Sequence, residues 1–145
     1  MRSIFLTGVI AAAAMISAAP AMAQDDSGRR FTVTLEGENE VPVLGDLDGT
    51  GTATVRINPG KGQLCYSVRV SGIGPSTAAH VHEAPAGTAG PVVVNLQAPT
   101  GGSSNGCVAI GKELALEIIR DPSDYYVNIH NAEFPGGALR GQLGQ

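Results

Sequence analysis

The residues best suited to chemistry are the three histidines, His80, His82 and His130. In an extended strand, residues two apart project to the same face, so His80-Val81-His82 presents two imidazoles together and turns Ala79 and Val81 to the other side. His130 follows the same rule. Val127 and Ile129 claim the apolar face of their segment and leave Asn128 and His130 opposite. If the two segments are neighbours, three imidazoles converge outside the core, beneath the loops Glu83 to Pro91 and Asn131 to Gly137. Neutral imidazoles suit copper or zinc, whereas calcium and magnesium prefer oxygen ligands. The competing reading is that these histidines are hydrogen-bonded surface residues that fix the two loops.

Two neighbours are placed to orient such a site. Asn128 is expected to bond loop backbone or a ring nitrogen. Arg140, in outward register between Ala138 and Gln142, either aims its guanidinium at the histidines or pairs with a loop carboxylate such as Glu133. Other chemistry is less well supported. Glu36, Glu38 and Glu40 alternate as a solvated acidic face would. Asp46-Leu47-Asp48-Gly49 lacks the later ligands of a calcium loop. Of Ser67, Ser71, Ser76 and Ser123, none sits in a Gly-x-Ser-x-Gly elbow, which counts against these as hydrolase nucleophiles.

The elements that must position these groups are short. Phe31, Val33 and Leu35 alternate with polar residues, as do Ala53, Val55 and Ile57, then Leu64, Tyr66, Val68 and Val70. That is the period of half-buried strands. Asn58-Pro59-Gly60-Lys61-Gly62 is a turn that makes a hairpin of the last two. Thr77 to Glu83, Val92 to Leu96 and Tyr125 to His130 add strands, and Leu139 and Leu143 bracket a final one. Gly37 to Gly49 and Ala84 to Pro91 read as loops, and a Gly/Ser/Asn stretch, Thr100 to Gly106, precedes Cys107. Ile110, Leu114, Ala115, Ile118 and Ile119 repeat at helical spacing, predicting a short helix over 112–120 that stops at Asp121-Pro122. Leu114, Leu116 and Ile118 would also fit a strand. About eight short strands and one helix predict an all-β fold, an antiparallel Greek-key-like β-sandwich.

Met1-Arg2-Ser3, an Ala-rich apolar stretch and Ala21-Met22-Ala23 have the layout of a secretory signal peptide over 1–23. A polar stub, 24–29, and one domain, 30–145, would follow, with no membrane span once the leader is cut. The destination is periplasmic or secreted. Cys65 and Cys107, an even pair in an exported domain, are expected to form a disulfide, two buried free thiols being the alternative. The net charge of −4 and the lack of a basic cluster exclude a nucleic-acid partner. Oligomeric state is not legible.

Ala78-Ala79-His80-Val81-His82, Ala86-Gly87-Thr88-Ala89-Gly90-Pro91, Tyr125-Tyr126-Val127-Asn128-Ile129-His130 and Phe134-Pro135-Gly136-Gly137-Ala138-Leu139-Arg140-Gly141-Gln142-Leu143 together resemble the chordin-type CHRD domain. Gly37-Glu38-Asn39-Glu40-Val41-Pro42 is similar to that family's first-strand exit. The resemblance implies an all-β domain of secreted bacterial proteins, without a defined activity. A more distant likeness joins His80-Val81-His82-Glu83 to the copper-binding strand of copper/zinc superoxide dismutase. It implies copper before zinc at His80, His82 and His130, with Glu83 beside Asn128 and Arg140 as supporting residues. There is no fourth histidine to bridge two metals, and Cys65 precedes the His-x-His strand where the dismutase cysteines follow it. The expectation is a non-enzymatic copper-binding module. A protein- or glycan-interaction domain of the cell envelope is the alternative, and a dismutase-like redox enzyme comes third.

Overall fold

A computed structural model describes residues 28–145. The expected leader, 1–23, and most of the stub lie outside the described residues. Eight strands form one antiparallel sheet: β1 (Arg29–Glu36), β2 (Thr50–Asn58), β3 (Gln63–Ser71), β4 (Ser76–Glu83), β5 (Val92–Leu96), β6 (Ser103–Ala109), β7 (Tyr125–Asn131) and β8 (Leu139–Gln142). Their spatial order is β5-β4-β7-β8-β1-β2-β3-β6. The all-β, sandwich-like expectation holds.

Alternation explains both register and core. Phe31, Val33 and Leu35 of β1 pair with Val55, Ala53 and Gly51 of β2, and Val55 with Tyr66 of β3, so one apolar face runs across three strands. Val81, Val127, Ile129 and Leu139 continue it through β4, β7 and β8 into the same cluster. Each fully buried Val, Leu or Ile contributes roughly 1.5–3 kcal/mol. A one-residue slip would expose the whole set, so the register is strongly specified. The sheet curls until its ends nearly meet: the Gln97 amide, just past β5, donates to the Tyr66 hydroxyl of β3 at 2.8 Å.

The helix α1 (Lys112–Arg120) forms where the 3.6-residue period predicts it, burying Ala115 and Ile118 in the same cluster. The strand alternative for this segment is therefore set aside. The Gly/Ser/Asn stretch before Cys107, to which the sequence assigns no element, belongs in part to β6, which begins at Ser103. Ser103-Ser104-Asn105-Gly106 has poor intrinsic strand preference, and its order comes from pairing with β3. Cys65 and Cys107 face each other in that pairing and form the expected disulfide, which spans 42 residues.

Candidate metal centre

The histidines lie on the outer face of β4 and β7, opposite the core. His80 stands across from Asn128, His82 from Tyr126, and Ala78 from His130. That face is covered. Every residue of β7 except His130 is buried, and so is every residue of β8. The segments 84–91 and 132–138 close over the outer side chains, making a second, polar core. A β-bulge on the β5 side of Val81 and His82 marks where the sheet departs from regular pairing beside the site.

Each ring is held differently. His82 Nδ1 lies 2.9 Å from the Gly90 carbonyl oxygen, and His130 Nδ1 lies 3.0 Å from that of Pro135. A carbonyl can only accept, so both Nδ1 atoms carry the proton and both Nε2 atoms present lone pairs. His80 Nδ1 then donates to His130 Nε2 at 3.1 Å. His82 Nε2 is sealed from solvent and has no hydrogen-bond partner. An orphaned buried acceptor costs about 1–3 kcal/mol. The ring is nevertheless fixed, because His82 also stacks on Tyr126 with centroids 4.8 Å apart and planes 8° from parallel.

One ring nitrogen from each histidine lies within 4.8 Å of the other two. A metal held at about 2.0–2.1 Å by imidazoles sets its ligand nitrogens about 3.3–3.6 Å apart. The His80–His130 pair is already at that scale, and modest ring rotations bring in the third. Burial holds all three rings below the usual imidazole pKa. The charges of His130 and His82 add to this at His80, and those of His130 and Arg140 at His82, while the bonds to Gly90 and Pro135 oppose it. The rings are therefore neutral at pH 7, the form that binds metal.

The expected supporting residues behave less uniformly. Arg140 is 2 % exposed and reaches neither the histidines nor a carboxylate on the loop. Its Nη1 donates to the Thr88 carbonyl at 2.9 Å, and its Nη2 to the Pro85 carbonyl and the Gln142 side chain at 3.0 and 3.2 Å. The guanidinium lies 3.5 Å from the centroid of the Tyr126 ring. The expected pairing with Glu133 is thus replaced by a clasp on the segment that ends at Gly90, because inward curvature of the loop offers carbonyls closer than any exposed acid. Asn128 donates to Glu40 Oε1, not to loop backbone or a histidine. Glu83 is exposed at the end of β4, paired across the strands with Tyr125, and does not join the imidazoles.

Glu40 overturns the reading of a solvated acidic face. It is 4 % exposed, and burial pushes its carboxyl up to about 7 against the opposing charge of Arg140 and the Asn128 bond. Its alternation with Glu36 and Glu38 gave no sign of burial. The signal that did mark it was the Gly37 to Pro42 motif. Tyr126 and Gln142 were also missed as site residues. Gln142 Nε2 donates to the Ala84 and Ser123 carbonyls, both at 2.7 Å, and the Tyr126 hydroxyl accepts from the Gly90 amide. A cavity of about 550 Å³ lies elsewhere, over β2, β3 and β6 around the disulfide, and no histidine lines it.

The family model described as the CHRD domain matches residues 31–143. The chain belongs to the CHRD family. Its matched span covers the whole sheet beyond the first two residues of β1, and with it every histidine of this CHRD domain. No curated protein and no solved structure matches the chain. Among the described residues no helix is long and apolar enough to cross a membrane.

Proposed function

We propose that this CHRD domain is an exported module that binds a transition metal, copper ahead of zinc, through His80, His82 and His130. The observation that carries the reading is the buried lone pair of His82 Nε2, left without a donor inside a cluster of three neutral imidazoles. A bound cation supplies the missing partner. Two of the ligands already have their far nitrogens fixed by backbone carbonyls, the arrangement that sets tautomer and ring direction in metal sites. His80 supplies its Nδ1 once its proton moves to Nε2, and the site remains reachable because His80 and His130 are only half-buried. A periplasmic or secreted destination, after removal of 1–23, fits the disulfide.

The same bonds to Gly90 and Pro135 favour a second reading, in which the histidines only shape two loops that bind a protein or glycan partner. Thermal unfolding separates the two. If metal binds the native state alone, saturating Cu(II) or Zn(II) raises the midpoint of the wild type and not of His82→Ala. An equal response of both proteins would leave the loop-fixing reading.

A further inference from the structure

We propose that the three-histidine centre takes copper as the cuprous ion in preference to the cupric ion. This rests on the metal-binding reading above and names the ion that reading leaves open. The donor set is three uncharged nitrogens, and the cluster contains no carboxylate or thiolate. A bound dication would therefore keep two uncompensated charges in a half-buried pocket, and a monocation only one. The surroundings sharpen the difference. Arg140 is buried one ring away, its guanidinium against Tyr126, which stacks on His82. The cation cannot swing out to solvent, because it is clasped by Thr88, Pro85 and Gln142.

No carboxylate joins the cluster itself: Glu83 is exposed and outside it, and Glu40, which faces the charge of Arg140, is buried against Asn128 and is not among the grouped ligands. Coordination number points the same way. Cu(I) is a d¹⁰ ion content with three ligands, whereas Cu(II) favours a tetragonal set of N and O donors and zinc a fourth ligand. His80, bonded through Nδ1 only to His130 Nε2, is the ring free to turn. Binding replaces that hydrogen bond. The Nδ1 proton of His80 leaves, its Nε2 takes one up from water, and no electron changes hands.

The test is a pair of competition titrations on the metal-stripped protein. Cu(I) is delivered anaerobically against bicinchoninate and Cu(II) in air against glycine, each repeated with His80→Ala/His82→Ala. The expected result is a Kd for Cu(I) at least 100-fold below that for Cu(II), with both sites lost in the double variant. Cu(II) bound as tightly as Cu(I), or more tightly, through the same histidines would overturn the cuprous assignment and leave the metal centre standing. Failure of both ions to bind through the histidines would remove the metal centre and this assignment with it.

Discussion

His82 and Tyr126 face each other across β4 and β7, and their rings stack within 8° of parallel. This contact ties the candidate ligand to the clasp behind it, since Arg140 lies over the same tyrosine ring. Ring, tyrosine and guanidinium form one layer on the outer face of the sheet. The layer is dry enough that its hydrogen bonds determine where the histidine points.

Removing the clasp should loosen the site. In Arg140→Met the Pro85 and Thr88 carbonyls and the Gln142 side chain lose their donor. Losing a buried charged donor of this kind should cost about 2–4 kcal/mol of stability, read by denaturant unfolding. Metal affinity should fall 10–100-fold, because Gly90 no longer fixes the His82 ring. A loss of stability with unchanged affinity would detach Arg140 from the histidines.

Gly90 gives a sharper probe of the same loop. A Cβ there would overlap the Glu83 carbonyl and the Ala84 methyl, backbone and neighbour that cannot swing aside. Gly90→Ala should displace the carbonyl that His82 bonds, with a shift of the His82 imidazole resonances in NMR. Gly87→Ala is the control for the loop's own geometry: its Cβ meets nothing within 4 Å, although its φ of +78° adds local strain. An unmoved His82 signal in Gly90→Ala would contradict the proposed coupling.

Glu40 should give the protein an unusual pH dependence. Its folded pKa of about 7 lies above the ordinary 4.5, so the fold favours the protonated form. The stability it contributes is fully present below about pH 4.5 and is lost as pH rises through about 7. The difference in unfolding free energy between wild type and Glu40→Gln should therefore shift toward the variant, by on the order of 3 kcal/mol, between pH 4.5 and 8. Unfolding at several pH values measures this. A flat difference would place an ionised carboxylate in the layer at all of them.

The disulfide secures an edge strand with little apolar content of its own. Cys65→Ala/Cys107→Ala should cost about 3–4 kcal/mol on the chain-entropy model. The loss should concentrate in β6, seen as faster amide exchange from Ser103 to Ala109 than in β7. Uniform acceleration across the sheet would instead mean that β6 is integral to the core.

What could be read from the sequence follows from which forces were local. Alternation along β1 to β4 and β7, the helical period of 112–120 and the shared face of His80 and His82 are short-range patterns, and they suffice for the strands, the helix and the convergence of the imidazoles. β6 escaped because its order is borrowed from β3. Glu40 reads as solvated, and Asn128 and Arg140 are given other partners than they have, for a related reason: what meets the outward face comes from distant segments. Here two loops and the first-strand exit fold over that face and bury it. Nothing in the local spacing of an acid or an arginine records a cover supplied by residues 40 to 100 positions away.

The most direct test of the metal centre is a calorimetric titration of metal-stripped protein with copper and with zinc, in parallel with His80→Ala/His82→Ala. A single one-to-one site that disappears in the double variant is the expected result. Binding no stronger in the wild type than in the variant would contradict the metal centre and leave the three histidines as fasteners of two loops.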